Sequence, residues 1–250
     1  MIQLTQNPYF VFGASFLIQT AAAYCGYVLR PKDRSGRTGD LDATHAAALT
    51  LLALLIGFTF SMAISRYDLR KNYEEGEANA IGTEYVRADL LPKDEAAKTR
   101  RLLALYIDRR IAFYVTKDQH RLEQIGKETA DLQNQLWSGV SRVAQTQPTP
   151  VTALVAAGMN DVLNSQGYTQ AAWLNRIPIE AFGLMELMAI ACNVLLGYRI
   201  VGANPAALLV LPLITSISFY LIADIDSPRT GTIEVVPTNL VLQSQAMTTP

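Results

Sequence analysis

Four stretches of this chain are long and apolar enough to cross a bilayer as helices. A hydrocarbon core of about 30 Å takes roughly 20 helical residues, whose backbone groups satisfy one another. Residues 8–29 (PYFVFGASFLIQTAAAYCGYVL) and 205–223 (PAALLVLPLITSISFYLIA) carry no charge, and residues 43–65 (ATHAAALTLLALLIGFTFSMAIS) none beyond His45. Residues 177–198 (IPIEAFGLMELMAIACNVLLGY) hold Glu180, Glu186 and Asn193. These must face protein, water or the interface, because a carboxylate in lipid costs several kcal/mol. The first stretch reads as a span rather than a signal peptide: no basic residue precedes it and no small-residue cleavage pattern follows.

Between the second and third stretches the period changes from continuous apolarity to one apolar position every three or four. Leu122, Ile125, Leu132, Leu136, Val140 and Val143, with Thr129 between, form one stripe of an amphipathic helix over 121–143. Leu102, Leu103, Tyr106, Phe113 and Tyr114 mark another over 95–114, with Pro92 at its start. Pro148 and Pro150 break the chain before a third, 151–163. The second span runs past residue 65 with no Gly or Pro before Gly76, which predicts one long helix, or a slightly broken one, leaving the membrane and entering the insert. The tail after Gly231 fits extended or helical backbone.

The pattern predicts an all-α membrane protein with four transmembrane helices in two hairpins around a helical, water-facing insert. The divisions are 1–66 (spans one and two), 67–176 (insert), 177–226 (spans three and four) and 227–250 (tail). Charge supports this. Only 17% of residues are charged, against about 25% in a soluble domain, and residues 66–176 hold 15 of the 21 Lys/Arg and 14 of the 22 Asp/Glu. That segregation argues against an ordinary soluble enzyme, a secreted disulfide scaffold and a disordered chain. The net charge of −1 removes the electrostatic case for a nucleic-acid partner.

Cys25 and Cys192 lie far apart in apolar runs and read as small buried hydrophobes. No GxSxG, phosphate-binding loop, HExxH or kinase signature occurs, so neither an enzyme nor a cofactor is expected. His45 and His120 each read as structural. Glu74, Glu75 and Glu77 read as a solvent-facing helix surface; a metal ion there would want loop geometry that one helix lacks. Asp224 and Asp226 read either as an interfacial stop or as an anchoring pair in an oligomer. Lys and Arg number five on each side of the membrane near the spans, so charge leaves the orientation open.

Residues 54–70 (LLIGFTFSMAISRYDLR), with Gly57 before Phe58 and Arg66 at the exit, resemble the second transmembrane helix of bestrophins. The run 77–88 (EANAIGTEYVRA), with Glu77 and Asn79, is similar to the helix that follows in that family, and 101–114 to the next, with its Leu-Leu-x-x-Tyr pattern. Ile177-Pro178 matches the family's entry to the third span. Residues 221–231 (LIADIDSPRTG), with Asp226, Pro228 and Gly231, resemble the sequence after its last span. The closest likeness is to the bestrophin-like branch, over about residues 40–245.

The resemblance implies a homopentameric ion channel in the plasma (inner) membrane, with insert and both termini cytoplasmic. Its partners would be the lipid bilayer, further copies of itself and small inorganic ions, and the second span would line a hydrophobic neck. Leu51, Leu55, Phe58 and Met62, spaced 4, 3 and 4, share one face of that span and are the expected neck. The alternative is that they pack against neighbouring spans. The chain departs from bestrophins where Tyr67 stands alone beside Arg66, and where only Asp224 and Asp226 occupy the place of the animal members' calcium clasp. A non-conducting membrane scaffold or sensor, its insert binding a partner, is the competing reading. A carrier built on Glu180 and Glu186 is a third, for which the sequence reveals no partner groups.

Overall fold

The computed structural model describes residues 7–30, 38–200 and 206–248, with the side chains of 38–40 excepted. Lys32, Arg34 and Arg37 of the first interhelical connection, and residues 201–204 of the second, lie outside that description. All elements among the described residues are helical: α1 Pro8–Val28, α2 Thr38–Arg87, α3 Lys93–Val115, α4 Gln119–Thr146, α5 Pro150–Leu174, α6 Ile179–Arg199, α7 Ala207–Asp226 and α8 Thr238–Thr248, with a 3-10 turn at Ala88–Leu90.

The boundaries follow local chemistry. The Asn7 side chain accepts from Tyr9 N at 3.0 Å, with Pro8 at the first helical position. Asp118 caps α4 through Arg121 N at 2.7 Å. Thr149 and Thr152 satisfy each other's backbone N–H at the start of α5, with Pro150 between. α5 extends to Leu174, eleven residues past the sequence-based limit of 163, because no Gly-Pro punctuation intervenes and Gly167 is tolerated inside the helix. α2 is one 50-residue helix. The tail resolves into both readings: residues 234–237 are irregular and α8 is helical.

Two compact units divide the chain. The first comprises Met1–Tyr67 and Arg176–Glu234. Here α1 packs on α6 and α7, and α6 on α7. Leu52 and Ala63 of α2 share an apolar core with Met185, Ala189 and Cys192 of α6 and Phe219, Ile222 and Ile225 of α7. The α1–α6 crossing is close because Gly26 and Gly197 face the opposite backbone: a Cβ on Gly26 would lie 2.1 Å from Val194 O, and one on Gly197 1.9 Å from Ala23 O. Small residues at such crossings let membrane helices gain packing that hydrocarbon cannot supply.

The second unit comprises Asp68–Asn175 and Val235–Pro250. α3 packs on α4, α4 on α5, and α8 on α3. The expected α4 stripe is its core face: Ile125, Thr129, Leu136, Val140 and Val143 are buried. On α3, Leu103, Tyr106 and Tyr114 are buried, together with Ile107 and Arg110; Leu102 and Phe113 are half-buried.

Candidate functional site

α2 carries the residues of greatest interest, and a buried stripe runs along it from Leu52 into the 3-10 turn that follows. Leu52, Thr59, Ala63, Arg70, Glu74, Glu77, Ile81, Glu84 and Ala88 are all buried, at intervals that are multiples or sums of three and four, as one helical face requires. Up to Ala63 the face is served by apolar neighbours. From Arg70 onward it carries charges, and each needs a partner.

The second unit supplies those partners. Arg70, fully buried, donates to Ala172 O at 3.2 Å and to Asn175 O, the C-cap residue of α5, at 3.4 Å. Glu74 accepts from Leu240 N at 2.9 Å and Asn239 Nδ2 at 2.7 Å, an acidic cap on the first turn of α8. Glu77 pairs with Arg110 of α3 and accepts from Thr169 Oγ1 of α5 at 3.1 Å. Burial, reinforced by the Glu77 carboxylate, pushes the Tyr114 phenol well above its ordinary range, so it remains a neutral donor to Glu77. Glu74 and Glu77 are therefore interior clamps, not the solvent-facing surface the acidic run predicts; only Glu75 of that run is exposed. Local periodicity held the clue, since residues 70, 74, 77 and 84 continue the spacing of the buried apolar face.

Glu84 is the exception in this series. It is fully buried, and neither carboxylate oxygen has a hydrogen-bond partner. It rests over Gly158 of α5, where an added Cβ would meet Glu84 Oε2 at 2.1 Å. Burial raises its carboxyl to about 8, Arg87 opposes the shift and Asp161 adds to it.

The four expected neck residues each stand beside the buried stripe. Leu51, Phe58 and Met62 are 47%, 62% and 42% exposed within this single chain. Leu55 is half-buried and packs against the apolar core. Gly57 is exposed, with open space where a Cβ would be. Arg66 is half-buried and Asn79 exposed.

The residues after the last span form a local knot. Asp226 Oδ2 accepts from Ile177 N at 3.0 Å, tying the start of the third span to the end of the fourth. Asp224 accepts from Thr232 N at 2.7 Å, Thr232 Oγ1 at 2.8 Å and Ile233 N at 3.0 Å. A Cβ at Gly231 would fall 2.6 Å from Asp224 Oδ1, so the turn admits glycine alone. Pro228 is buried beside it. Both acids anchor this chain's own backbone.

Among the described residues, no three His, Cys, Asp or Glu side chains gather as a metal site would need. Four helices are long and apolar enough to cross a membrane: Pro8–Val28, one within Leu41–Leu90, one within Pro150–Arg199, and Ala207–Asp226. Four helices of membrane-spanning length in an all-helical chain define an all-α membrane protein. The chain matches the Bestrophin-like domain over residues 13–240, and it belongs to the bestrophin-like family. Its fold is similar to two point variants of a bacterial Bestrophin homolog from Klebsiella pneumoniae. One is 14% identical, covering 95% of this chain and 98% of that one with a TM-score of 0.65. The other is 15% identical, covering 97% and 99%, also with a TM-score of 0.65. A further similar structure, described only as a membrane protein variant, is 14% identical over 95% of this chain and 98% of that one, with a TM-score of 0.67. A search of curated proteins finds no relative by sequence.

Proposed function

We propose that the chain is one subunit of a homo-oligomeric ion channel, a pentamer by the family likeness. It passes small ions passively through a pore lined by α2, with no cofactor and no catalytic step. The observation that carries this reading is the face of α2 bearing Leu51, Phe58 and Met62, left open by the chain's own packing. Copies of α2 around an axis would turn that face into apolar rings, which gate ions by excluding water. The second unit, and both termini, would lie on the cytoplasmic side of the inner membrane. Glu77, Arg70 and Glu74 then make the polar half of α2 the spine of the second unit, so the pore helix is built to report on its packing.

The test is flux from purified protein in liposomes, with oligomeric state measured on the same sample. Ion flux from a pentamer supports the channel. A stable monomer in mild detergent, or a stable oligomer silent under varied voltage, pH and calcium, removes it. The second reading, a non-conducting scaffold or sensor, draws on Trp137, which is 42% exposed on α4 beside a shallow groove lined by Gln133, Asn134, Asn160 and Leu163. Under that reading Trp137→Ala weakens partner capture while substitutions at Phe58 change nothing.

A further inference from the structure

Within the first unit, three membrane-spanning helices converge on one amide. Gln19 of α1, fully buried, donates from Nε2 to Glu186 Oε2 of α6 at 3.1 Å. Its Oε1 accepts from Asn193 Nδ2 of α6 at 3.4 Å and from Thr215 Oγ1 of α7. Glu186 and Asn193 are seven residues apart and share a helical face, which is how both reach the same head group. The Ser15 hydroxyl of α1 also donates to Glu186, and it too is neutral.

Two oxygens of this cluster are buried without a hydrogen-bond partner: Glu186 Oε1 and Asn193 Oδ1. Asn193 is itself fully buried. Membrane bundles use polar side chains as glue, but glue satisfies its own groups. Here a carboxyl group is surrounded by neutral partners, and an ionised carboxylate in an apolar bundle needs a countercharge. The cluster offers hard oxygen donors: the carboxylate, two amide carbonyls and a hydroxyl, with no thiol or imidazole among them. One formal negative charge matches one positive charge. A divalent ion would draw on several carboxylates, and no such grouping exists among the described residues.

We propose that Gln19, Glu186, Asn193 and Thr215 form a membrane-embedded site for one small monovalent metal cation of the sodium class. The site belongs to the packing of α1, α6 and α7, away from the α2 face read as the neck. It stands whether or not the protein conducts.

The test is thermal melting of the full chain in detergent, with sodium chloride titrated against choline chloride at constant pH and ionic strength. The expected result is a saturable rise of Tm with sodium in the wild type. Glu186→Gln should melt in choline at or above the wild-type temperature and lose the sodium response, because the amide keeps the Gln19 contact without a buried charge. Thr215→Val and Asn193→Ala should keep the response with half-saturation moved about tenfold or more upward. Identical wild-type melting in the two salts overturns the site, as does a sodium response that survives Glu186→Gln. A response to pH with none to sodium assigns the carboxyl group to a proton and overturns the metal. Should Glu186→Gln fail to fold, the other two variants decide: unmoved half-saturation in both overturns the proposal. The readout involves no flux, so its failure and that of the channel reading are separate results.

Discussion

Individual charges inside the second unit differ in what they do for it. The Glu77–Arg110 pair is fully enclosed. Removing one member leaves the other desolvated and unpaired, which costs about 3–5 kcal/mol. Glu77→Ala should therefore lower Tm steeply, whereas Glu77→Leu with Arg110→Met should recover much of the loss; melting of all three proteins checks it. Glu84 acts in the opposite sense. Its folded carboxyl titrates near 8 against an ordinary 4.5, so between those values the folded state binds more protons than the unfolded one. Stability then falls as pH rises from 4.5 to 8 and levels off above. Glu84→Gln should flatten that slope and melt higher than wild type at alkaline pH, the two curves converging at acid pH. Parallel curves would place the titration elsewhere.

Helices in this protein are placed by what their faces meet. The α1–α6 crossing depends on Gly26 and Gly197, each against the other helix's backbone. Gly197→Ala should push the helices apart and destabilise by about 1–3 kcal/mol, the usual result of overpacking. Gly13→Ala, on the same helix α1 but with open space at its Cβ, should be neutral or mildly stabilising. A melting comparison of the two separates crossing geometry from helix propensity. α2 illustrates the limit of reading faces from sequence. Its length was legible, since neither Pro nor paired Gly interrupts it. Its inward face was half legible: the apolar part follows from period, but the same period continued in Arg70, Glu74 and Glu77 looks like a solvated surface until the partners are seen.

For an assembly of subunits, the proposed neck is the feature that a single chain leaves unfinished. Phe58 is the most exposed of the four proposed neck residues, and Leu55 also packs in the core. Leu55→Ala with Phe58→Ala should raise or deregulate flux in liposomes, and Phe58→Ala alone should retain most of that effect with little loss of stability. Unchanged flux through a protein that demonstrably conducts would take the neck away from these residues. If only the double variant responds and it also melts early, the effect is one of packing.

The four spans, the long α2, the helical insert and the family were written in local patterns: apolar runs of bilayer length, stripes at three- and four-residue spacing, and short motifs from Gly57 to Gly231. Such signals are read within a turn or two of helix, where neighbours in sequence are neighbours in space. The destination of the polar groups was decided by folding. Glu77 finds Arg110 across 33 residues and Gln19 finds Asn193 across 174. Whether a buried charge is a clamp, a proton site or a cation ligand depends on which distant helix packs over it, because burial is tolerable only with a partner. That partner comes from tertiary packing and leaves no mark on the residues beside it in the chain.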